Sequence, residues 1–436
     1  MSPWYILPTL LAALLLGAHF LRADNYGLMA LSLAAPLALL IRRRWAIRIV
    51  QFLLFAGAVI WISTILNIIE WRQMAGQGWI RASLILGIAA TIPIGAALLL
   101  ENRKLRQFYP ETSVPADASL TAFLITAVSL TIVYLVINPP VILIERFLPG
   151  AGWVEIFGLS LYAAWITEKM LDMKESARWR RRIWVIFSIV FFAQFILGVS
   201  GLEKFLMTGK LHVPVPALIA AGPIFRGQGF FMAILFGATV LLVGPAWCSH
   251  LCYIGAWDDS ASRLRAKPMK MPPWRQMVRI GLLFLVIAAA IILRLLGVSG
   301  AVAAILAIAF GLIGVAIMLF WSRKTGVMTH CIAYCPIGPL ANWLGKLSPF
   351  RIRINDTTCT DCGICHVACR YDALNMEDIK KRRPNISCTL CGDCLGSCRD
   401  GSLEYKFLGL NADRARVLFI VIVVSLHALF LGVARI

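Results

Sequence analysis

All twelve cysteines of this chain fall in four short segments: Cys248/Cys252, Cys331/Cys335, Cys359/Cys362/Cys365/Cys369 and Cys388/Cys391/Cys394/Cys398. None is spent as an isolated core hydrophobe, so thiol chemistry or metal ligation must explain them. The last two segments, CTDCGICHVAC and CTLCGDCLGSC, both read CxxCxxCxxxC. In that pattern three closely spaced thiolates grip one cubane iron–sulfur cluster and the fourth crosses to a neighbouring cluster. The expected ligand sets are therefore Cys359, Cys362, Cys365 and Cys398 for one 4Fe-4S cluster, and Cys388, Cys391, Cys394 and Cys369 for a second. CxxC pairs also bind zinc, but four cysteines at this spacing, twice, favour iron and sulfide. Gly363, Gly392 and Gly396 leave room for backbone amides to approach the sulfurs.

The other two pairs lie in PAWCSHLCYIGAW (Pro245 to Trp257) and MTHCIAYCPIGPLANW (Met328 to Trp343), which share a CxxxCxIG core. Spacing of i and i+4 puts both sulfurs of a pair on one face if the segment is helical. Each motif follows an apolar span, and the shared core suggests a second duplication. Cys248, Cys252, Cys331 and Cys335 are expected to converge on a further iron–sulfur centre; inert thiols or thiol–disulfide exchange are the alternative. His250 and His330 lie within or beside these motifs, either as ligands or bonded to headgroups and backbone.

The elements that must carry these cysteines follow from composition. With 60% hydrophobic and 15% charged residues, the 436-residue chain is far from an ordinary globular domain. It reads as an all-α polytopic membrane protein with about eleven transmembrane helices and a small α+β dicluster ferredoxin domain inserted before the last helix. The expected spans are 3–21, 26–41, 47–68, 82–100, 118–144, 153–167, 183–200, 228–247, 277–296, 300–321 and 417–434. The chain divides into a transmembrane bundle of unassigned role (1–180), a transmembrane core with both CxxxC motifs (181–350), the ferredoxin domain (351–410) and a final helix (411–436). With the N-terminus inside, 33 of the 42 Lys and Arg fall on the inner side, which the positive-inside rule makes cytoplasmic. A reducing cytoplasm disfavours structural disulfides for all twelve cysteines. The net charge of +20 is then mostly topological, with attraction to anionic membrane lipid and no nucleic-acid partner.

Residues 353–408 resemble the bacterial dicluster ferredoxins. The proline that follows the fourth cysteine in that family is replaced by Arg370 and Arg399, whose charge favours the reduced clusters or offers a docking surface for an acidic partner. The order of motifs over roughly 183–410 resembles the NosR/NapH/CcoG type of polyferredoxin-like membrane proteins. Cys331, Cys335 and Pro336 match that group's CxxxCP motif, whereas Tyr253 stands where the first motif would have its proline. The resemblance implies a multi-pass protein of the bacterial inner membrane with its ferredoxin domain in the cytoplasm. It would relay electrons between a redox partner protein, soluble or a membrane subunit, and the quinone pool or a periplasm-facing acceptor. A quinol dehydrogenase or oxidoreductase subunit is one form of this. A redox-linked metalloenzyme maturation or sensing factor is the alternative, and a transporter with regulatory clusters is disfavoured because the first five spans hold few ionisable residues.

For quinone, the proline-punctuated stretch Gly201 to Gly229 is expected to form an interfacial helix, a re-entrant cap or an ordinary loop, with Glu203, Lys204 and His212 as proton-handling candidates. His19 and His427, the histidines within spans, are read as interfacial residues rather than haem ligands. Trp247, Trp257, Trp274, Trp321 and Trp343 read as an interface belt.

Overall fold

The computed structural model describes residues 6–41, 44–102, 114–137, 141–205 and 214–433. Among these, eight helices are long and apolar enough to cross a membrane: Ala46–Met74, Ile80–Leu99, Pro115–Val136, Ser176–Val199, Phe231–Leu251, Arg275–Leu295, Gly300–Thr325 and Ala412–Val433. At about 1.5 Å per residue each reaches the roughly 30 Å of a bilayer's hydrocarbon layer. Three expected spans differ for physical reasons. Leu7–Arg22 has only 16 residues. The apolar stretch Leu28–Leu40 tightens into a 3-10 helix over Ala35–Ile41, where Pro36 withholds a backbone donor. Gly152–Leu171 is long enough, but Glu155, Glu168 and Lys169 interrupt its apolar run.

The chain forms two compact units, residues 1–128 and 129–436. In the first, helices Arg44–Met74 and Ile80–Leu99 run against each other over Ile47, Val50, Leu54, Ala96 and Ala97. Small alanines allow the approach, and the Gln51 carboxamide donates to Ala97 O at 2.9 Å.

The second unit holds all twelve cysteines. Its apolar helices close around Phe187, Phe236, Val240, Trp247 and Phe430, with Trp247 edge-on to Phe236 and Phe430. Trp247 is therefore a core residue, while Trp257, Trp274, Trp321 and Trp343 keep the exposure of a belt. Before Phe231–Leu251, Val215 lies against Gly311, and the short helix Leu218–Arg226 ends at Gly227 (φ +69°), where the Arg294 guanidinium donates to Ile224 O at 3.1 Å.

The cysteine repeat lies between two short strands, β1 (Phe350–Ile354) and β2 (Leu403–Phe407), paired antiparallel with Phe350 opposite Phe407 and Ile354 opposite Leu403. Alternation turns Phe350, Ile352, Leu403 and Tyr405 inward. Tyr405 stacks on Phe419 at 4.6 Å between ring centres, so the strand pair rests on the helix Ala412–Val433 that follows it. The fold is thus mostly helical with one small strand pair, the cysteine module inserted before the last helix.

Candidate metal centres

The repeat of sequence is a repeat of backbone. Six left-handed positions in the module form three pairs separated by 29 residues, the distance from Cys359 to Cys388: Asp361 and Leu390, Gly363 and Gly392, Asp372 and Gly401. Gly363 and Gly392 open the short helices Ile364–Ala368 and Asp393–Ser397, which bring each third cysteine inward. At both fourth cysteines a backbone amide donates to the sulfur, Ala373 N to Cys369 Sγ and Ser402 N to Cys398 Sγ, each at 3.3 Å. Bonds of this kind stabilise thiolate over thiol.

Cys359, Cys362, Cys365 and Cys398 line one hollow of about 330 Å³ including its mouth, together with Ile354, Ile379 and Leu403. Cys362 is exposed and Cys365 buried. Burial, and then the nearby Cys398, push the Cys365 thiol up to about 11. The other set is more enclosed. Cys369, Cys388 and Cys391 lie against the apolar cluster of Trp184, Met328 and Tyr371. Burial pushes Cys388 up to about 12, and burial followed by the charges of Cys391, Cys388 and Cys369 pushes Cys394 well above its ordinary value. The cysteines of each set thus lie near one another and come from both halves of the repeat.

The module is fastened to the helical core by buried charge. Asp393, between Cys391 and Cys394, accepts Nε and Nη2 of Arg180 at 2.9 and 2.8 Å and Nη2 of Arg263 at 2.6 Å. Against the upward push of burial, the two guanidiniums hold the Asp393 carboxyl below its usual range. Arg370 is 9% exposed and donates to the carbonyls of Arg265, Gly326 and Ala266 at 3.0, 2.8 and 3.0 Å. This corrects the expectation that Arg370 offers a docking surface: its guanidinium is consumed inside the protein, joining the module to the loops below the spans, whereas Arg399 remains exposed.

The two CxxxC motifs adopt the same local structure, 83 residues apart. Trp247–Leu251 and His330–Tyr334 are single π-helical turns, closed by Cys252 N donating to Trp247 O at 3.0 Å and Cys335 N to His330 O at 2.8 Å. Such turns concentrate at functional sites. Cys248, Cys252, Cys331 and Cys335 all line one hollow of about 520 Å³ including its mouth. Burial pushes Cys331 well above its ordinary value, with Asp258, Cys335, Cys252 and Cys248 adding to it in that order. The glycine of each CxxxCxIG core makes space. A Cβ at Gly255 would lie 2.5 Å from the Trp184 ring, and one at Gly338 would lie 1.4 Å from Nη2 of Arg279. Trp184 Nε1 donates to Cys252 O at 2.7 Å, and Asp258 Oδ2 accepts from Cys331 N at 2.9 Å.

One side chain joins the second cysteine set to this hollow. Tyr371, two residues beyond Cys369, is buried, lines the hollow, and donates its hydroxyl to Cys248 O at 3.2 Å. Thr389, between Cys388 and Cys391, borders the same hollow, and its carbonyl accepts from Ser249 Oγ at 2.9 Å.

The remaining candidates separate. His330 lines the four-cysteine hollow, where burial and then Arg279 push it down to about 3, so the ring is neutral. His250 faces away, with Nδ1 3.0 Å from Ser249 Oγ. His427 is buried beside Tyr162 Oη at 3.0 Å, an interior rather than interfacial position, and His19 lies beside Trp61 in the other unit. Glu203 and Lys204 form an exposed turn, and His212 lies outside the described residues. Arg180, Arg279, Asp393 and Tyr371 were not singled out from sequence. For the two arginines the available signal was a charge within or at the start of an apolar helix.

The donor sets fit an iron–sulfur core. Burial and neighbouring thiols push Cys331, Cys388 and Cys394 up, so four thiolates gather in either of these two sets only around a cationic core.

Comparison with known proteins bears on the same region. Residues 229–272 match a family model described as a 4Fe-4S binding domain (Fer4_5), and this stretch contains Cys248 and Cys252. The chain is 26% identical over 195 residues to an Escherichia coli (strain K12) protein named "Putative electron transport protein YccM", a match covering 40% of this chain and 52% of the relative. The chain thus spans about half the length of the curated relative it matches. No solved structure matches.

Proposed function

We propose that this chain, with its match to a 4Fe-4S binding domain, is a membrane-bound electron-transport protein that holds three iron–sulfur centres. Cys359, Cys362, Cys365 and Cys398 hold the first 4Fe-4S cluster; Cys369, Cys388, Cys391 and Cys394 hold the second; Cys248, Cys252, Cys331 and Cys335 hold a further centre. Bound clusters supply one-electron chemistry, and the chain supplies ligands, burial and fixed charge. The exposed Cys362 suits the first set to meet a partner protein. Trp184, Tyr371 and Met328 shield the second set from water. The third set ends two apolar segments, where a lipid-soluble quinone or a membrane subunit is within reach.

The observation that carries this reading is the convergence of four cysteines, from motifs 83 residues apart, on one hollow that Tyr371 and Thr389 share with the second set. The charge distribution supports a multi-pass arrangement in a bacterial inner membrane, the ferredoxin domain in the cytoplasm, exchanging electrons with a cytoplasmic partner. The relative's name supports transport over metalloenzyme maturation. The test is iron and sulfide content with electron paramagnetic resonance (EPR) on anaerobically purified protein, compared with the Cys248→Ser/Cys331→Ser variant. Loss of one centre with two retained is expected; an unchanged cluster count would refute the third site.

A further inference from the structure

Arg279 lies in the apolar helix Arg275–Leu295, is 6% exposed, and lines the hollow ringed by Cys248, Cys252, Cys331 and Cys335. Its neighbour Arg275, one turn earlier, pairs with Asp372 at 2.8 Å. Arg279 forms no ion pair among the described residues; Nε donates to Cys335 O at 3.3 Å. The carboxylate beside the motif, Asp258, is engaged with Cys331 N instead. A buried cation without an anion is strongly disfavoured. The anion that Arg279 faces is the group of four sulfurs. Gly338 is what lets the guanidinium enter: any side chain there would occupy the place of Nη2.

We infer that Arg279 is the counter-cation of the centre held by these four cysteines and sets its midpoint potential. This rests on reading the hollow as a cluster site. Four thiolates carry more negative charge than an oxidised cubane core offsets, and each added electron deepens the excess. A fixed guanidinium in a dry pocket therefore stabilises the reduced state and raises the potential. Arg279 acts on the centre through space and through the Cys335 carbonyl, so it is a positioning and tuning residue, not a ligand.

The test is a redox titration followed by EPR on the full-length, anaerobically purified protein, comparing wild type with Arg279→Lys, Arg279→Gln and Gly338→Ala. The two ferredoxin-type clusters of the same molecule serve as internal standard. Arg279→Gln is expected to lower the potential of the third centre by at least a tenfold change in its one-electron equilibrium, about 59 mV. Arg279→Lys should keep it near wild type, Gly338→Ala should move it in the direction of Gln, and the other two clusters should not shift. Loss of the third centre in Gln with retention in Lys also supports the role, since charge is what the two differ in. An unchanged potential in Gln, or equal shift or equal loss in Lys and Gln, overturns it. A wild type with only two centres would instead remove the cluster site itself, and this role with it.

Discussion

Asp393→Asn tests what holds the second cysteine set against the helical core. The substitution keeps the shape of the side chain and removes its charge. Arg180, whose side chain is 1% exposed, would keep Ser249 O at 2.9 Å and the more distant Asp259 at 3.8 Å, but lose both charged bonds to Asp393. Breaking a buried pair from one side costs about 3–5 kcal/mol. The residual pull of Asp259 places this variant at the lower end, about 3 kcal/mol, or roughly a hundredfold in the frequency of local opening. Hydrogen exchange measured by mass spectrometry on the cluster-loaded protein should show the segment 388–398 exchanging about a hundredfold faster, with the helix Ser176–Val199 little changed. The paired apolar replacement Arg180→Met/Asp393→Leu should recover much of the loss, because it leaves no charge unpaired. Exchange at 388–398 within a factor of about three of wild type in Asp393→Asn would refute the argument that this pair fastens the loop.

Three further outcomes follow from the same geometry. Cys398→Ser should remove the same EPR signal as Cys359→Ser, and Cys369→Ser the same as Cys388→Ser, since each set is gathered across the repeat; pairing within each half would give the opposite grouping. Arg370→Gln abandons carbonyls that a shorter amide cannot reach and should lower stability by about 2–3 kcal/mol, read as a lower thermal midpoint and earlier proteolytic release of the module. Tyr371→Phe removes only the hydroxyl that reaches Cys248 O, so rapid-freeze EPR should show slower equilibration between second and third centres with potentials unchanged; identical kinetics would show that this bond carries no coupling.

The spacing of eight cysteines leads to the expectation of a crossed grouping, because within a 29-residue repeat the chain has little freedom to send a fourth sulfur elsewhere. The left-handed residues show why: paired turns at Asp361 and Leu390, and again at Gly363 and Gly392, force the same path twice. The eleven expected spans were less secure where apolar length was marginal or charged, at Leu7–Arg22, Ala35–Ile41 and Gly152–Leu171, because a hydropathy run contains no measure of helix length after a proline or across charged residues. The docking-surface alternative for Arg370 failed for a related reason: exposure is a property of the assembled chain, and its carbonyl partners come from segments over 40 residues away.

By itself, then, the sequence determined what is local: the apolar runs, the doubled cysteine pattern and the insertion of the module before the last helix. Only the tertiary structure decided that two CxxxC turns far apart in the chain share one hollow, that Arg180 seizes Asp393, and that Arg279 enters beside Gly338 with no carboxylate to meet it. Composition and periodicity encode which face of an element avoids water, but not which distant charge that face will find. Long-range electrostatic pairing is settled by packing geometry, and that is where the shared four-cysteine hollow and the arginine facing it reside.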